Sequence, residues 1–297
     1  VTSSAADPKR RYWWLAAPLA GWLVWFLFIP LALVLVVSVL TRGPYGGYEW
    51  TWTTENYARL ADGLYLSVFG RSLAFAVVTT LACLALGYPM AWAMATARPA
   101  WRPTLFVLLM VPFLTNFVVR VYAIRILLGV EGPLNGVLLG LGLRSEPLVL
   151  TDSGLAVAIG MITNYLPFMV LPLYVVFERF DFTLLEAARD LGARGHDVLR
   201  RVLLPLTRGA IASGSLLVFV PALGEFMIPD LLGGARTLLL GNLITEQFLK
   251  ARDWPFGAAL AVLLVVALVA SSYAQALLSR GKGGSARAPM GGARGEA

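Results

Sequence analysis

A chain of 297 residues in which 58% are hydrophobic and 14% charged carries well below the roughly 25% charge of a typical water-facing domain. It belongs with membrane proteins, so its net charge of +7 is read by where the basic residues sit rather than as a nucleic-acid footprint. A single cysteine, Cys83, inside an apolar run, and a single histidine, His196, exclude a disulfide framework and a Cys/His metal cluster.

About 20 consecutive apolar residues cross the hydrocarbon of a bilayer, and six stretches qualify. The first covers residues 13–40 without a charge. The preceding Lys9, Arg10 and Arg11 resemble the start of a signal peptide. The apolar run is too long for one and lacks a small-residue cleavage site, so a retained anchor is expected. An outer loop follows at 42–66, with Pro44, Gly46 and Gly47, then an amphipathic stretch over 56–69. Trp50, Trp52, Tyr57 and Tyr65 suit the headgroup level. The second stretch covers 72–97. The third runs from 103 past Arg120 to Arg125. The fourth covers 153–177, with Asn164 its one strongly polar residue, the fifth 209–228 with Glu225 inside it, and the sixth 254–279. Prolines at 18, 30, 89, 112, 167, 172 and 221 fall within these runs, where neighbouring groups in a bundle satisfy the carbonyls they free. The segment from 280 onward, rich in Gly, Ala and Arg, is expected to be disordered. The chain thus divides into an N-terminus with the first span (1–41), an outer loop with an interfacial helix (42–71), a five-span core (72–279) and a tail (280–297). No internal repeat stands out.

Placing the N-terminus inside puts 15 of the 24 basic residues and 7 of the 17 acidic ones in cytoplasmic segments, leaving 9 basic and 10 acidic elsewhere. Basic excess on the inner side is the positive-inside pattern, with both termini cytoplasmic.

The cytoplasmic connection at 178–208 is the most informative segment. Thr183 and Glu186 have capping-box spacing and predict a helix start. Leu184, Leu185, Ala188 and Leu191 share a face, and Gly192 suits the left-handed residue that ends such a helix. A second short helix is expected with Val198, Leu199, Val202 and Leu203 on its apolar side, before Pro205 opens the fifth span. Such a pair of amphipathic helices either lies on lipid, aided by its arginines, or meets a protein. The acids Glu186, Asp190 and Asp197 favour the protein.

Glu186-Ala187-Ala188, Gly192 six residues after the glutamate, then Val202, Leu204 and Pro205 resemble the EAA loop of binding-protein-dependent ABC importer permeases; the family pattern has Ile where this chain has Val202. Glu55-Asn56-Tyr57 is similar to the segment before the second span of such permeases. Pro112-Phe113-Leu114-Thr115-Asn116, Leu166-Pro167-Phe168-Met169, Gly224-Glu225-Phe226 and Arg252-Asp253-Trp254-Pro255-Phe256-Gly257 resemble the polyamine (spermidine/putrescine) branch. The resemblance implies an all-α polytopic fold of six spans, the type I importer permease fold, in the bacterial inner membrane. It implies two ATPase subunits into which the loop docks, a second permease subunit that is a related non-identical chain, and an extracytoplasmic solute-binding protein. It also implies no cofactor on this chain, with ATP and Mg bound by the ATPase. The sequence agrees that the nucleotide sits elsewhere, for it has no Walker A motif to cradle phosphates. No nucleophile–base pair suggests an enzyme.

A polyamine is a flexible polycation, best captured by carboxylates and aromatic faces. Glu225, Asp230 and Asp253 with Trp254 are the candidates near the outer side, and Asn116, Asn164 and Tyr165 candidates along the path. Each has a structural alternative: a Glu225–Arg120 ion pair, interhelical hydrogen bonds from the polar residues, a helix start at Asp253 and Trp254. Three rival functions remain open. The same machine carries another solute, Arg120 and Arg125 suiting an anion; the chain is an ion-coupled secondary carrier; or it is a scaffold without flux.

Overall fold

The computed structural model describes residues 13–234 and 237–280; the basic cluster at 9–11 and the tail beyond 280 lie outside them. In chain order the elements are α1 (Trp13–Ser38), strands β1 (Leu40–Arg42) and β2 (Tyr48–Trp52), α2 (Glu55–Leu60), α3 (Gly63–Thr96), α4 (Arg102–Leu114), α5 (Phe117–Leu127), α6 (Pro133–Gly140), α7 (Gly154–Glu178), α8 (Thr183–Asp190), α9 (Gly195–Val198), a π-helical turn (Leu199–Leu203), α10 (Leu204–Leu223), α11 (Met227–Leu232), α12 (Leu240–Leu249) and α13 (Trp254–Arg280). Among the described residues five helical stretches are long and apolar enough to span a membrane, and α4 with α5 makes a sixth if that bent pair is one span. The chain is a multi-pass membrane protein whose spanning elements are all helical.

Four local expectations need correction. Where the apolar run at 103–125 predicts one helix, the chain builds two, bent by 93°. Asn116 Oδ1 accepts from the amides of Val118 (2.9 Å) and Val119 (3.5 Å), an N-cap that starts a new helix. The fifth span ends at Leu223, so Glu225 stands in the connection beyond it. The second span begins at Gly63 rather than 72, absorbing much of the expected interfacial helix. The outer loop contains an antiparallel ribbon, pairing Thr41 with Glu49 and Arg42 with Tyr48. Gly46 and Gly47, at φ +91° and +78°, make its turn in the left-handed region that only glycine enters without strain.

Contacts divide the chain into two compact units, one of residues up to Ser67 with Leu243–Val265, the other of Val68–Asn242 with residues from Val266 onward. In the first, a polar knot ties the ribbon to the segment before α13. Arg42 donates to the Ala251 carbonyl (2.7 Å), and the Gly47 amide to that of Arg252 (2.8 Å). Asn56 Nδ2 donates to the Ser38 (3.0 Å) and Leu40 (2.8 Å) carbonyls. Asp253, buried, pairs with Arg59 at 2.9 Å and accepts from the Phe256 amide at 3.2 Å, while the Arg59 guanidinium lies 3.9 Å above the Phe256 ring. Asp253→Ala should therefore destabilise this unit by about 1–3 kcal/mol, leaving a cation and an amide without their acceptor. A thermal melt of the purified chain checks it.

In the second unit α7 is the most buried spanning helix, half of its apolar window being covered. Lipid tails are as apolar as leucine, so helices in a bilayer hold together by close packing. Glycines make that possible here. A Cβ at Gly160 would come within 2.6 Å of Leu232 Cδ1, and one at Gly214 within 2.8 Å of Met169 Sδ. Toward the end of α7, Tyr88 and Trp92 set their rings edge-on to Phe177 at 5.1 and 5.4 Å.

Candidate functional site

Two places bring the sequence candidates into geometric relation: the loop at 181–205 and the bend between α4 and α5.

In the loop, Asp181 Oδ1 accepts from the Thr183 hydroxyl (2.7 Å) and amide (3.0 Å). These bonds hold the Asp181 carboxyl below its ordinary range. They also replace the expected Thr183–Glu186 box: Thr183 donates its hydroxyl to Asp181, and Glu186 is exposed in the first turn of α8. The end of α8 is as expected. Gly192 has φ +83°, its amide donates to the Arg189 carbonyl (2.8 Å) and that of Ala193 to Ala188 (3.1 Å), the double bond of a Schellman cap. Of the apolar face, Leu185 is buried, whereas Leu184 is 46% and Leu191 89% exposed. Val198 and Leu203 are buried on the second piece. The π-helical turn ends at Leu203, two residues before Pro205, which has no amide hydrogen to give the preceding turn. There the Leu204 amide reaches five residues back to Leu199, so α9, the turn and α10 run on as one span, Gly195–Leu223. Glu186, Ala187 and Gly192 are exposed beside this span's start.

At the bend, a cavity of about 300 Å³ is walled by the rings of Phe113, Phe117, Tyr165 and Phe168, with Thr115, Arg120 and Asn164. The helix break supplies its polar edge. The Pro112 carbonyl, left free as α4 ends, accepts from Thr115 Oγ1 (2.6 Å) and Arg120 Nη1 (2.7 Å). The Arg120 guanidinium lies 5.9 Å from the centroids of both Phe113 and Phe117, and its Nε is buried without a hydrogen-bond partner. Asn164 donates to the Gly160 carbonyl (2.8 Å), leaving its Oδ1 buried and unpartnered.

Glu225 is not joined to Arg120; no ion pair links them among the described residues. Its Oε1 instead accepts from the amides of Phe226 (3.1 Å), Met227 (2.9 Å) and Ile228 (3.2 Å), and its Oε2 accepts from the Tyr165 hydroxyl. The carboxylate thus sits on the start of α11, where free amides favour negative charge. The Asn242 side chain fixes the same turn through the Phe226 carbonyl (2.7 Å). Arg125 donates to the Leu231 carbonyl and lies 3.5 Å from Asp152.

Asn164 and Tyr165 therefore line one cavity, and Tyr165 links it to Glu225. Asn116 is not among the residues that wall the cavity; its side-chain oxygen is used as a cap. Asp230 is exposed on α11. Asp253 and Trp254 belong to the first unit, where Asp253 caps α13 and Trp254, 44% exposed, faces Tyr48 at 6.3 Å between ring centres. Sequence reasoning missed the aromatic walls as a site. Phe113 and Phe168 belong to motifs that carried the family resemblance, and the periodicity of an unbroken third span turns attention away from them.

A family profile described as "Binding-protein-dependent transport system inner membrane component" matches residues 83–283. The chain is 46% identical over 250 residues to the spermidine/putrescine transport system permease protein PotB of Escherichia coli, covering 84% of this chain and 91% of that one. It is 27% identical over 258 residues to the PotC permease protein of the same system in that organism, covering 86% and 90%. A crystal structure of a bacterial ABC transporter involved in the import of the acidic polysaccharide alginate contains a chain with a TM-score of 0.74 to this one at 16% identity, covering 91% of this chain and 96% of that chain.

Proposed function

The chain belongs to the family of binding-protein-dependent transport system inner membrane components, and on that premise we propose that it forms one half of the membrane pore of an ATP-driven polyamine importer. The observation that carries the cargo is the 46% identity to PotB across most of both chains, against 27% to PotC. That difference supports a PotC-like second permease as the other half, and the family match supports two ATPase subunits below and a solute-binding protein outside. Both termini lie in the cytoplasm in this reading, following the basic residues.

The loop at 181–205 is the handle for the ATPase. Its exposed leucines 184 and 191 give a partner an apolar surface, and its Schellman cap and continuity with α10 give a stiff path from that surface to the span. Movement of the ATPase pair biases the pore only by holding this loop differently in its two states. The bend cavity supports a cationic cargo with four aromatic walls and an unpartnered acceptor at Asn164.

Labelled spermidine and putrescine uptake in cells lacking only this chain tests the reading. Restoring the chain should restore uptake, blocked by unlabelled polyamines. One observation favours a second cargo class: Arg120 faces the cavity with no carboxylate bound to it among the described residues, which suits an anionic solute. Uptake competed by anions and indifferent to polyamines would move the cargo there.

A further inference from the structure

The bend cavity holds a cation of its own. We propose that the Arg120 guanidinium is a tethered competitor for the cargo, occupying the aromatic cavity when no polyamine is in the pore and swinging out when an ammonium group enters. The inference rests on the polyamine reading and goes beyond it by giving Arg120 a role in the cargo's passage.

The case begins with how loosely Arg120 is held. A charge at membrane depth ordinarily finds a carboxylate or a wet cavity. Among the described residues this one has a single carbonyl at 2.7 Å, two phenylalanine faces at 5.9 Å, and a buried Nε with no partner. These are the contacts a polyamine ammonium would make, to ring faces and a carbonyl oxygen. Glu225, the carboxylate within reach of Tyr165, accepts from three amides and the tyrosine hydroxyl, so its oxygens are taken and it does not pair directly with Arg120. Two cations that seek the same ring faces in a cavity of about 300 Å³ repel, and no carboxylate lines that cavity among the described residues. An ammonium therefore enters as the guanidinium leaves.

Departure leaves little broken behind. The Pro112 carbonyl keeps the Thr115 hydroxyl at 2.6 Å, so its oxygen is not orphaned. The arriving ammonium finds the Asn164 Oδ1, an acceptor that Arg120 leaves unused. A site occupied by a tethered cation of similar chemistry holds its cargo weakly, which suits a pore: conduction needs binding weak enough to release.

The test uses the assembled transporter in lipid nanodiscs, without solute-binding protein, and radiolabelled spermidine as probe. Arg120→Gln should bind spermidine about fivefold more tightly, the factor set by removing a competing cation–π contact, whereas Arg120→Lys, which keeps the tethered cation, should bind as wild type. The wild-type complex supplies a measurement free of any folding defect. Phenylglyoxal modification of Arg120, read by mass spectrometry of its peptide, should rise when spermidine is added. Unchanged binding in an assembled Arg120→Gln complex, or protection of Arg120 by spermidine, overturns displacement. Failure of the wild-type complex to bind or import any polyamine is a different result, and removes the cargo assignment itself.

Discussion

Replacing Gly192 with valine is expected to lower ATP-driven uptake about tenfold or more while leaving the chain inserted at its normal level. Gly192 stands at φ +83°, where a side chain costs about 1–2 kcal/mol and a β-branched one more. At 1.4 kcal/mol per factor of ten, that strain alone lowers the equilibrium constant for the native loop about tenfold. The alternative conformation also gives up the two bonds to the Ala188 and Arg189 carbonyls, and with them the angle at which α8 meets the span beginning at Gly195. Gly192 is exposed, and a Cβ there would meet nothing within 4 Å, so crowding cannot explain a defect. Uptake assays beside immunoblots of isolated membranes separate the effects. Gly192→Ala should be milder, since alanine enters the left-handed region at lower cost than valine. Wild-type uptake by the valine variant would remove this loop from the coupling path.

Much of the membrane architecture is legible from hydropathy, because spans are bounded by polar residues that the bilayer excludes. The first, fourth and sixth spans (α1, α7 and α13) begin or end within two residues of where apolar runs place them. What hydropathy misreads is a break inside an apolar run. Phe-Leu-Thr-Asn at 113–116 carries both a hydroxyl that folds back on the Pro112 carbonyl and an asparagine that caps the next helix. Averaged over a span, two polar residues vanish into the apolar mean. The same averaging carries the fifth span past Leu223 to 228, although Gly224 and the acid after it mark its end. The outer ribbon was visible in Gly46-Gly47 and in the β-favouring run Tyr48-Glu-Trp-Thr-Trp, but tryptophans beside a membrane also suit the headgroup zone, and Trp50 and Trp52 are each 71% exposed. In the loop at 181–205 local chemistry decides the shape, so the glycine cap could be read from sequence. The start of α8 could not, because Asp181 takes the Thr183 amide that Glu186 would accept from in a capping box. The cavity needed coordinates: its walls come from α4, α5 and α7, and no spacing within one of them shows the others.

Glu225 separates a structural from a transporting role most sharply. Glu225→Ala is expected to destabilise the chain by about 3 kcal/mol or more, since each buried donor left without its acceptor costs about 1–3 kcal/mol. It strips the acceptor from three amides at the start of α11 and from the Tyr165 hydroxyl, at a side chain that is 8% exposed. Little assembled transporter should be recovered. Glu225→Gln keeps a carbonyl oxygen for the amides and a polar partner for Tyr165, and should cost about 1 kcal/mol, the worth of one ordinary hydrogen bond. Tyr165→Phe removes a single donor and should cost a similar amount. Uptake normalised to assembled complex is the measurement that decides. If the carboxylate holds the turn between α10 and α11, the glutamine variant transports near the wild-type rate per complex, and the alanine variant fails through its abundance. If the carboxylate instead meets the cargo's charge, glutamine assembles normally and stops transport, since a neutral amide cannot replace an ion partner. The four hydrogen bonds on Glu225 favour the first result.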